Sequence, residues 1–502
     1  MSGFGGNKAS RVKALGAVFL GGSALLTTSC DGHFTFSWGR PTPSSSAHLE
    51  ASYPVDNRVR SSAELDNDVA AARHTAQAAQ SEVEAEVARV NLSAALARLF
   101  EEEPDPQKLE LAVIEIRQAL AEQSKQGSST LAAVFLQLNL GSALMRLGER
   151  EPGVQRLEEA AAAFREVIPI ALREHASHEW AGAQLGLGLT LALIGERQES
   201  GESLKAAEAA ERATLSVIKR EEAPMQWAIA QTNLGRVLVA INTREMSAER
   251  SQAALAAFGE AAKEITRERS PMAWARLRSN VGVARIANGR LTEDRTEFER
   301  AASLFREALE VWTREKAPVD WSGAQVNLAV ALTFLALDDP AAKTVNEAIV
   351  ACHEALKERT RERNPLAWAQ VQANLARALV IRAQKSKRPK DLDAAIEAFD
   401  AALSERTIER DPLGWATTSK DLGEAVRDRA KARGKPPCDA IAIHLDAAIV
   451  ISRMAPALLP THGRAVLADL DSTPRASPQS CPTLSADAWT DIGELQKLAA
   501  EP

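Results

Sequence analysis

The stretch "NPLAWAQVQANLARAL", residues 364–379, decides the fold because close copies of it recur along the chain. Forty-seven residues earlier stands "APVDWSGAQVNLAVAL" (317–332), and forty-seven later stands "DPLGWATTSKDLGEAV" (411–426). The tryptophans that keep this spacing without insertion are Trp180, Trp227, Trp274, Trp321, Trp368 and Trp415. Self-similarity at one fixed interval indicates a tandem array of structural repeats rather than three independent domains.

Other residues fall into register when each tryptophan is counted as position 0 of its unit. Proline stands three residues before most of the tryptophans, glutamine is common at position 4, leucine at position 7, and glycine or alanine at position 8. Position 31 is phenylalanine in several units and Cys352 in one. Position 6 is usually asparagine, in Asn139, Asn233, Asn280, Asn327 and Asn374, with Asp421 as a variant and Gly186 as an interruption.

Each unit predicts two helices, which we call helix A and helix B. Proline at the first helical position, preceded by a capping residue such as Ser270, Asn364 or Asp411, marks the start of helix A. About eighteen residues follow before a polar connector, and helix B then runs to the next proline. The sequence therefore predicts an all-α protein.

A helical wheel divides helix A into two faces. Tryptophan, the leucine of position 7 and the small residue of position 8 fall together, so we expect this face to pack, with tryptophan between adjacent units. The phenylalanine of position 31 should supply the packing of helix B, and Cys352 is expected to be a core residue in that slot. Position 6 lies on the opposite face, where a recurring asparagine calls for a reason other than packing.

Tandem helix pairs that carry "NLGxAL" resemble the tetratricopeptide repeat (TPR) family, in a long bacterial form with 47 residues per unit. The resemblance implies a right-handed α-solenoid of about eight helix-turn-helix repeats, with helix A lining a concave groove. It also implies that the asparagines of position 6 bind a peptide backbone, which suits an amide because it both donates and accepts hydrogen bonds. Groove residues at position 9 include Arg236 and Arg377. The alternative is that these asparagines bond to a neighbouring helix within the scaffold.

The N-terminus resembles a bacterial lipoprotein signal. Lys8, Arg11 and Lys13 precede the uncharged run of residues 14–26, and small residues lead to Cys30. In that family the cysteine is lipidated and becomes the first residue of the mature chain. We therefore expect a protein anchored in the bacterial cell envelope, facing the periplasm or the exterior. A cleaved secretory peptide and an uncleaved anchor are the alternatives.

The chain is thus divided into a signal peptide (1–30), a Ser/Pro-rich flexible linker (31–62), the TPR-like solenoid (63–455) and a proline-containing tail with a short capping helix (456–502). Export would place the remaining cysteines in an oxidising compartment. Cys438 and Cys481 flank the end of the array, and they either pair as a disulfide or stay free, which their spacing alone does not decide.

Composition and motifs narrow the function. A formal charge of −7 and a pI near 5.8 argue against nucleic-acid binding. No pattern for a catalytic site, metal or cofactor stands out. Two basic loops, 382–390 and 427–435, predict either an anionic partner or solvated cations. The sequence favours a membrane-anchored scaffold, not an enzyme, that binds protein or peptide partners. The alternatives are a cytoplasmic regulatory TPR protein and, least favoured, an enzyme that uses the groove.

Overall fold

The computed structural model describes residues 62–80, 106–126 and 130–434, apart from positions 152, 199, 246, 340, 341, 387 and 409, together with a few isolated positions at 84–92 and 438–443. The predicted signal peptide, nearly all of the predicted linker and the predicted tail lie outside the described residues.

Fifteen helices make up the described part of the chain, and no strand occurs among those residues. They are α1 (Ser62–Ala78), α2 (Pro106–Gln126), α3 (Thr130–Arg150), α4 (Gln155–Arg173), α5 (Ser177–Arg197), α6 (Gly201–Val217), α7 (Pro224–Glu245), α8 (Ala248–Ala261), α9 (Pro271–Thr292), α10 (Arg295–Leu309), α11 (Pro318–Asp338), α12 (Lys343–Leu356), α13 (Pro365–Ser386), α14 (Pro389–Leu403) and α15 (Pro412–Ala432). From α3 onward the odd-numbered helices are helix A of a unit and the even-numbered ones are helix B. The all-α repeat fold predicted from the sequence is therefore confirmed.

Proline begins helix A in five consecutive units, at α7, α9, α11, α13 and α15. The side chain of Asn364 accepts a hydrogen bond from Ala367 N at 3.0 Å, and Asp411 accepts one from Gly414 N at 3.0 Å. Ser270 occupies the predicted N-cap position of α9, but its side chain makes no cap hydrogen bond. Helix A is 21 or 22 residues long, which is a turn longer than predicted.

The described chain separates into two compact groups. The N-terminal group contains described residues up to Ile241 and residues 252–266, and the C-terminal group contains residues 242–251 and those from Arg267 onward. In the C-terminal group, helix α11 packs against its own helix B (α12), the preceding helix B (α10) and both neighbouring A helices (α9 and α13). None of the helices in the described part of the chain is long and apolar enough to span a membrane.

The small residue of position 8 allows helix B to approach helix A closely. A Cβ atom added to Gly282 would lie 2.7 Å from the ring of Phe305, the position-31 residue of the same unit. Phe305 is fully buried. Trp321 belongs to a neighbouring cluster with Trp312 and Trp274 that joins adjacent units. Both packing roles predicted from the repeat register are therefore observed in the C-terminal group.

Candidate functional site

The asparagines of position 6 do not lie on an open surface. Asn233 and Asn280 are each 3% exposed, Asn374 is 4% exposed and Asn327 is 0% exposed, whereas Asn139 is half-buried. Arg236 and Arg377, predicted to line the same groove, are also buried. The expectation that this face of helix A does not pack is wrong in the described structure. The peptide-binding role of these residues stays a prediction.

The repeat geometry explains this burial. In the unit that lacks the asparagine, a Cβ on Gly186 would lie 2.4 Å from the ring of Phe164, which belongs to the preceding helix B. Position 6 therefore points at position 31 of the unit before it. The helical wheel assigned one packed face to helix A, but α11 and α13 each have neighbouring helices on several sides. A two-sided wheel cannot represent that environment.

Several of these buried amides lack hydrogen-bond partners. Asn280 Nδ2, Asn374 Nδ2 and both polar atoms of Asn327 have none within the described structure. The Oδ1 atom of Asn374 accepts a hydrogen bond from Arg377 Nη1 at 2.8 Å, and Arg377 Nε donates to Asp421 Oδ2 at 2.6 Å. Burial raises the pKa of Asp421, while Arg377 opposes that rise. We call the asparagines of position 6 the asparagine row. Some of their side-chain amide atoms form hydrogen bonds inside the scaffold, and others form none within the described structure.

An ionisable residue replaces the phenylalanine of position 31 in one unit of the N-terminal group. Glu211 stands at position 31 of the Trp180 unit, is 0% exposed, and lies against Gly188 of its own unit. Burial raises the pKa of its carboxyl well above the ordinary value, against the opposing effects of Asn233 and Arg236. A buried carboxyl in an apolar packing layer favours its neutral form.

One open cleft lies among three consecutive helices of the C-terminal group. It has a volume of about 720 Å³ and is bounded by α11, α12 and Arg306 of α10. Leu328 and Leu332 of α11, together with Ala351 and Val350 of α12, form its apolar surface. Val350 at its rim is 59% exposed, comparable with Ile114 and Leu172 elsewhere in the described chain. The sequence did not single out this cleft, because the leucines at positions 7 and 11 look like ordinary core residues.

Some polar side chains of the cleft form ion pairs or hydrogen bonds within the protein, and others do not. Arg306 pairs with Glu347 across it at 3.0 Å, and Glu354 pairs with Lys357 at 2.6 Å. Asn346 Oδ1 accepts a hydrogen bond from Arg382 at 3.4 Å. Within the described residues, Lys343 has no ion pair and Gln325 has no hydrogen-bond partner, although both line the cleft.

A periodic arginine, which the repeat register did not single out, links successive units. Arg220, Arg267 and Arg361 lie over the rings of the tryptophans seven residues later, at 5.6, 5.2 and 5.4 Å from the ring centroids. The same arginines bond to glutamates of the next unit, in the pairs Arg220–Glu264, Arg267–Glu310 and Arg361–Glu405, and Arg314–Glu358 adds a fourth such pair. The repetition of "TRE" at the 47-residue interval was the signal available in the sequence.

The described cysteines are in different states. Cys352 is free and fully buried in the position-31 slot, where burial raises the pKa of its thiol to about 12. Cys438 is buried and disulfide-bonded. Its partner lies outside the described residues, as do Cys30 and Cys481. The pairing of Cys438 with Cys481 and the lipidation of Cys30 stay predictions.

The basic loops give no support for an anionic partner. Most of these residues are helical, so their prediction as loops is wrong: residues 382–386 belong to α13, 389–390 to α14 and 427–432 to α15. In the first segment, Arg382 donates two hydrogen bonds to Asp391, at 2.8 and 3.0 Å, and Lys385 donates to Leu337 O at 3.3 Å. In the second, Arg433 bonds to Asp393 at 2.8 Å. Several of the cations therefore already stabilise the array.

Comparison with known proteins found similarity to solved structures at low sequence identity. No protein-family model and no curated protein matches the chain. The apo form of RapI is similar, with 13% identity and a TM-score of 0.42 over 78% of this chain and 99% of that chain. A Rap protein complexed with Competence and Sporulation Factor matches with 13% identity and a TM-score of 0.44, over 78% and 98% of the two chains. Yeast Tom70 matches with 12% identity and a TM-score of 0.25, over 84% and 95%. All three TM-scores are below 0.5.

Proposed function

We propose that this protein is a non-enzymatic repeat scaffold that binds a segment of another protein in the cleft formed by α10, α11 and α12. The observation that carries the proposal is the open, apolar-floored cleft of about 720 Å³ with charged side chains at its rim. Sites that bind ligands are commonly concave, largely apolar and about 300–1,000 Å³ in volume, with a few polar groups that orient the ligand.

The residue at the rim of the cleft supports a specialised role for this unit. Val350 occupies position 29, where the other B helices carry smaller or charged residues, namely Ala162, Ala209, Ala256, Ser303 and Glu397. Val350 is 59% exposed, so packing within the scaffold buries less than half of its apolar surface. It gains when a partner covers it.

Selection of peptides from a random phage-displayed library against the full-length protein tests this function. We expect binding peptides whose affinity falls about tenfold or more on Val350→Glu. The exposed glutamate should leave the fold intact, because Glu397 stands at the same position of α14. Ser303→Glu, at the equivalent position of α10, is the matched control and should not change affinity. Failure to recover any specific peptide would contradict the scaffold function.

The asparagine row is the second candidate surface for the same function. The unpartnered amide atoms of Asn280, Asn327 and Asn374 favour it, because a peptide backbone reaching them would satisfy buried polar groups. Access requires neighbouring A helices to separate. Asn280→Ala combined with Asn327→Ala should leave peptide capture unchanged if the cleft is the site. Capture lost in that double variant but kept in Val350→Glu would move the site to the asparagine row.

We propose further that Cys30 carries a lipid that anchors the scaffold in the bacterial envelope. The basic start, apolar run and small residues before this cysteine support the proposal. Palmitate labelling of the full chain should depend on Cys30 and disappear in Cys30→Ala, and globomycin should block maturation. An unlabelled protein that stays in the cytosol would favour the cytoplasmic regulatory alternative.

A further inference from the structure

Resting on the function proposed above, we infer that the cleft binds an extended peptide that carries an aliphatic side chain and, a few residues away, a carboxylate. The juxtaposition that indicates this ligand is an aliphatic floor on α11 beside an unpaired lysine at the N-terminus of α12.

The floor of the cleft selects the aliphatic side chain. Leu328, Leu332, Val350 and Ala351 supply branched or small apolar groups. A leucine or isoleucine side chain fills such a surface with several carbon contacts and leaves water. Removing a side chain of this size from water favours binding in proportion to the apolar area that the cleft covers.

The length of the cleft sets the length of the peptide. From Gln325 to Leu332, α11 rises about 10 Å at 1.5 Å per residue. A segment of about three extended residues covers that distance at roughly 3.3 Å each. Because residues 339–342 join α11 to α12 by a short connection, the helices run in opposite directions. Lys343 therefore lies toward the Leu332 end, and Glu354 lies toward the Gln325 end.

The charged side chains of the cleft indicate where the carboxylate of the peptide binds. Arg306 is paired with Glu347, and Glu354 is paired with Lys357. Among the charged side chains that line the cleft, Lys343 is therefore the one without an ion pair in the described part of the chain. It is the first residue of α12. Thr344 in the same turn already donates a hydrogen bond to the Asp339 carboxylate, so the preference for an anion at this end is assigned to the Lys343 ammonium group alone.

The opposite end of the cleft offers an amide to the peptide backbone. In α3/α4 the equivalent position-4 side chain, Gln137, is bonded to Glu166, and in α9/α10 Arg278 pairs with Glu307 at 3.0 Å. Those pairs tie helix A to helix B. In the α11/α12 unit the matching glutamate, Glu354, is bonded to Lys357 instead, so Gln325 keeps its donor and acceptor for a ligand.

Fluorescence polarisation with defined probes tests the inference on the full-length protein. The probes are short, end-blocked Gly/Ser peptides with one leucine and, on either side of it, aspartate, asparagine or lysine. We expect the aspartate probe to bind about fivefold tighter than the lysine probe, because a charge-assisted contact with Lys343 favours the anion and repels the cation. Lys343→Glu should reverse that order, and Lys316→Glu, an exposed lysine on the α10–α11 connection, should not.

The outcomes separate this inference from the function on which it rests. Two results would overturn the inference that Lys343 binds a peptide carboxylate, while keeping the scaffold function. In one, the leucine probes bind with no charge preference. In the other, the preference for aspartate survives Lys343→Glu. Binding that does not require leucine but is lost in Val350→Glu would overturn the aliphatic anchor alone. If neither the probes nor library-selected peptides bind, the scaffold function fails as well.

Discussion

The guanidinium carbon of Arg361 lies 5.4 Å from the centroid of the Trp368 ring, while its Nε atom donates a hydrogen bond to Glu405 at 2.6 Å. One arginine of the Trp321 unit thus contacts the tryptophan of the next unit and a glutamate near that unit's end. A cation over an aromatic face stabilises by about 0.5–1 kcal/mol at an exposed site.

We predict that Arg361→Ala lowers the free energy of unfolding by about 0.5–1 kcal/mol. Arg363→Ala is the matched control, since Arg363 is exposed and pairs with Glu358 at 3.2 Å without a described ring contact. It should change stability by less than about 0.5 kcal/mol. Urea denaturation followed by circular dichroism measures both. Equal losses in the two variants would show that the tryptophan contact contributes nothing.

Glu211 makes stability depend on pH. Because its folded pKa is raised above the ordinary value of 4.5, the stabilising effect of protonation is fully present below that pH. It is lost as pH rises through the folded pKa, since the folded state binds the extra proton. Glu211→Gln should therefore stabilise the N-terminal group at neutral pH by on the order of 1–3 kcal/mol.

The measurement for Glu211 is urea denaturation of both proteins between acidic and neutral pH. The gap between Glu211→Gln and the unmodified chain should widen as pH rises. Glu211→Phe, which restores the residue found in most other units, should be more stable still at neutral pH. A constant gap at every pH would refute a buried, protonated carboxyl.

Gly282 and Phe305 form a matched pair in the packing of α9 against α10. Gly282→Ala should destabilise the C-terminal group by about 1–3 kcal/mol, because its Cβ would lie 2.7 Å from the Phe305 ring. Combining it with Phe305→Cys reproduces the Ala329/Cys352 pair of the Trp321 unit and should relieve the clash. Thermal unfolding compares the variants. The expected relief of the clash would be contradicted if the double variant lost more stability than the two single variants lose when their losses are added.

The thiol of Cys352 should not react with thiol reagents in the native protein. Its thiol is fully buried and its pKa is raised to about 12, so little reactive thiolate is present at neutral pH. Titration with a thiol-reactive dye should label Cys352 only after denaturation. Non-reducing peptide mapping of the same sample identifies the partner of Cys438, which we predict to be Cys481. Rapid native labelling of Cys352 would argue against its place in the core.

Repetition made much of the fold predictable. The tryptophan interval and the prolines located the start of helix A in five consecutive units, and the slot shared by Phe305 and Cys352 identified core positions correctly. These inferences depend on contacts inside one unit or between neighbours in register. They follow from helical periodicity and backbone chemistry alone.

The surfaces were less predictable, because exposure depends on how many helices surround each position. Asn327 looked free on a wheel but is buried. The cleft lies on a face that the wheel assigned to packing, since Leu328 reads like any other leucine of its position. Glu354 bonds to Lys357 rather than to Gln325, a choice between partners that the order of residues does not settle.

The arginine links also bear on how such an array changes its length. Arg314 bonds to Glu358, 44 residues later, at 2.6 Å. Removing residues 318–364 would join Ala317 to Pro365 and leave Arg314 again 44 residues before a glutamate, Glu405. The contact is thus inherited by whichever unit comes next. Duplication or loss of a whole period preserves the joints between modules, so evolution can lengthen or shorten this protein without redesigning them.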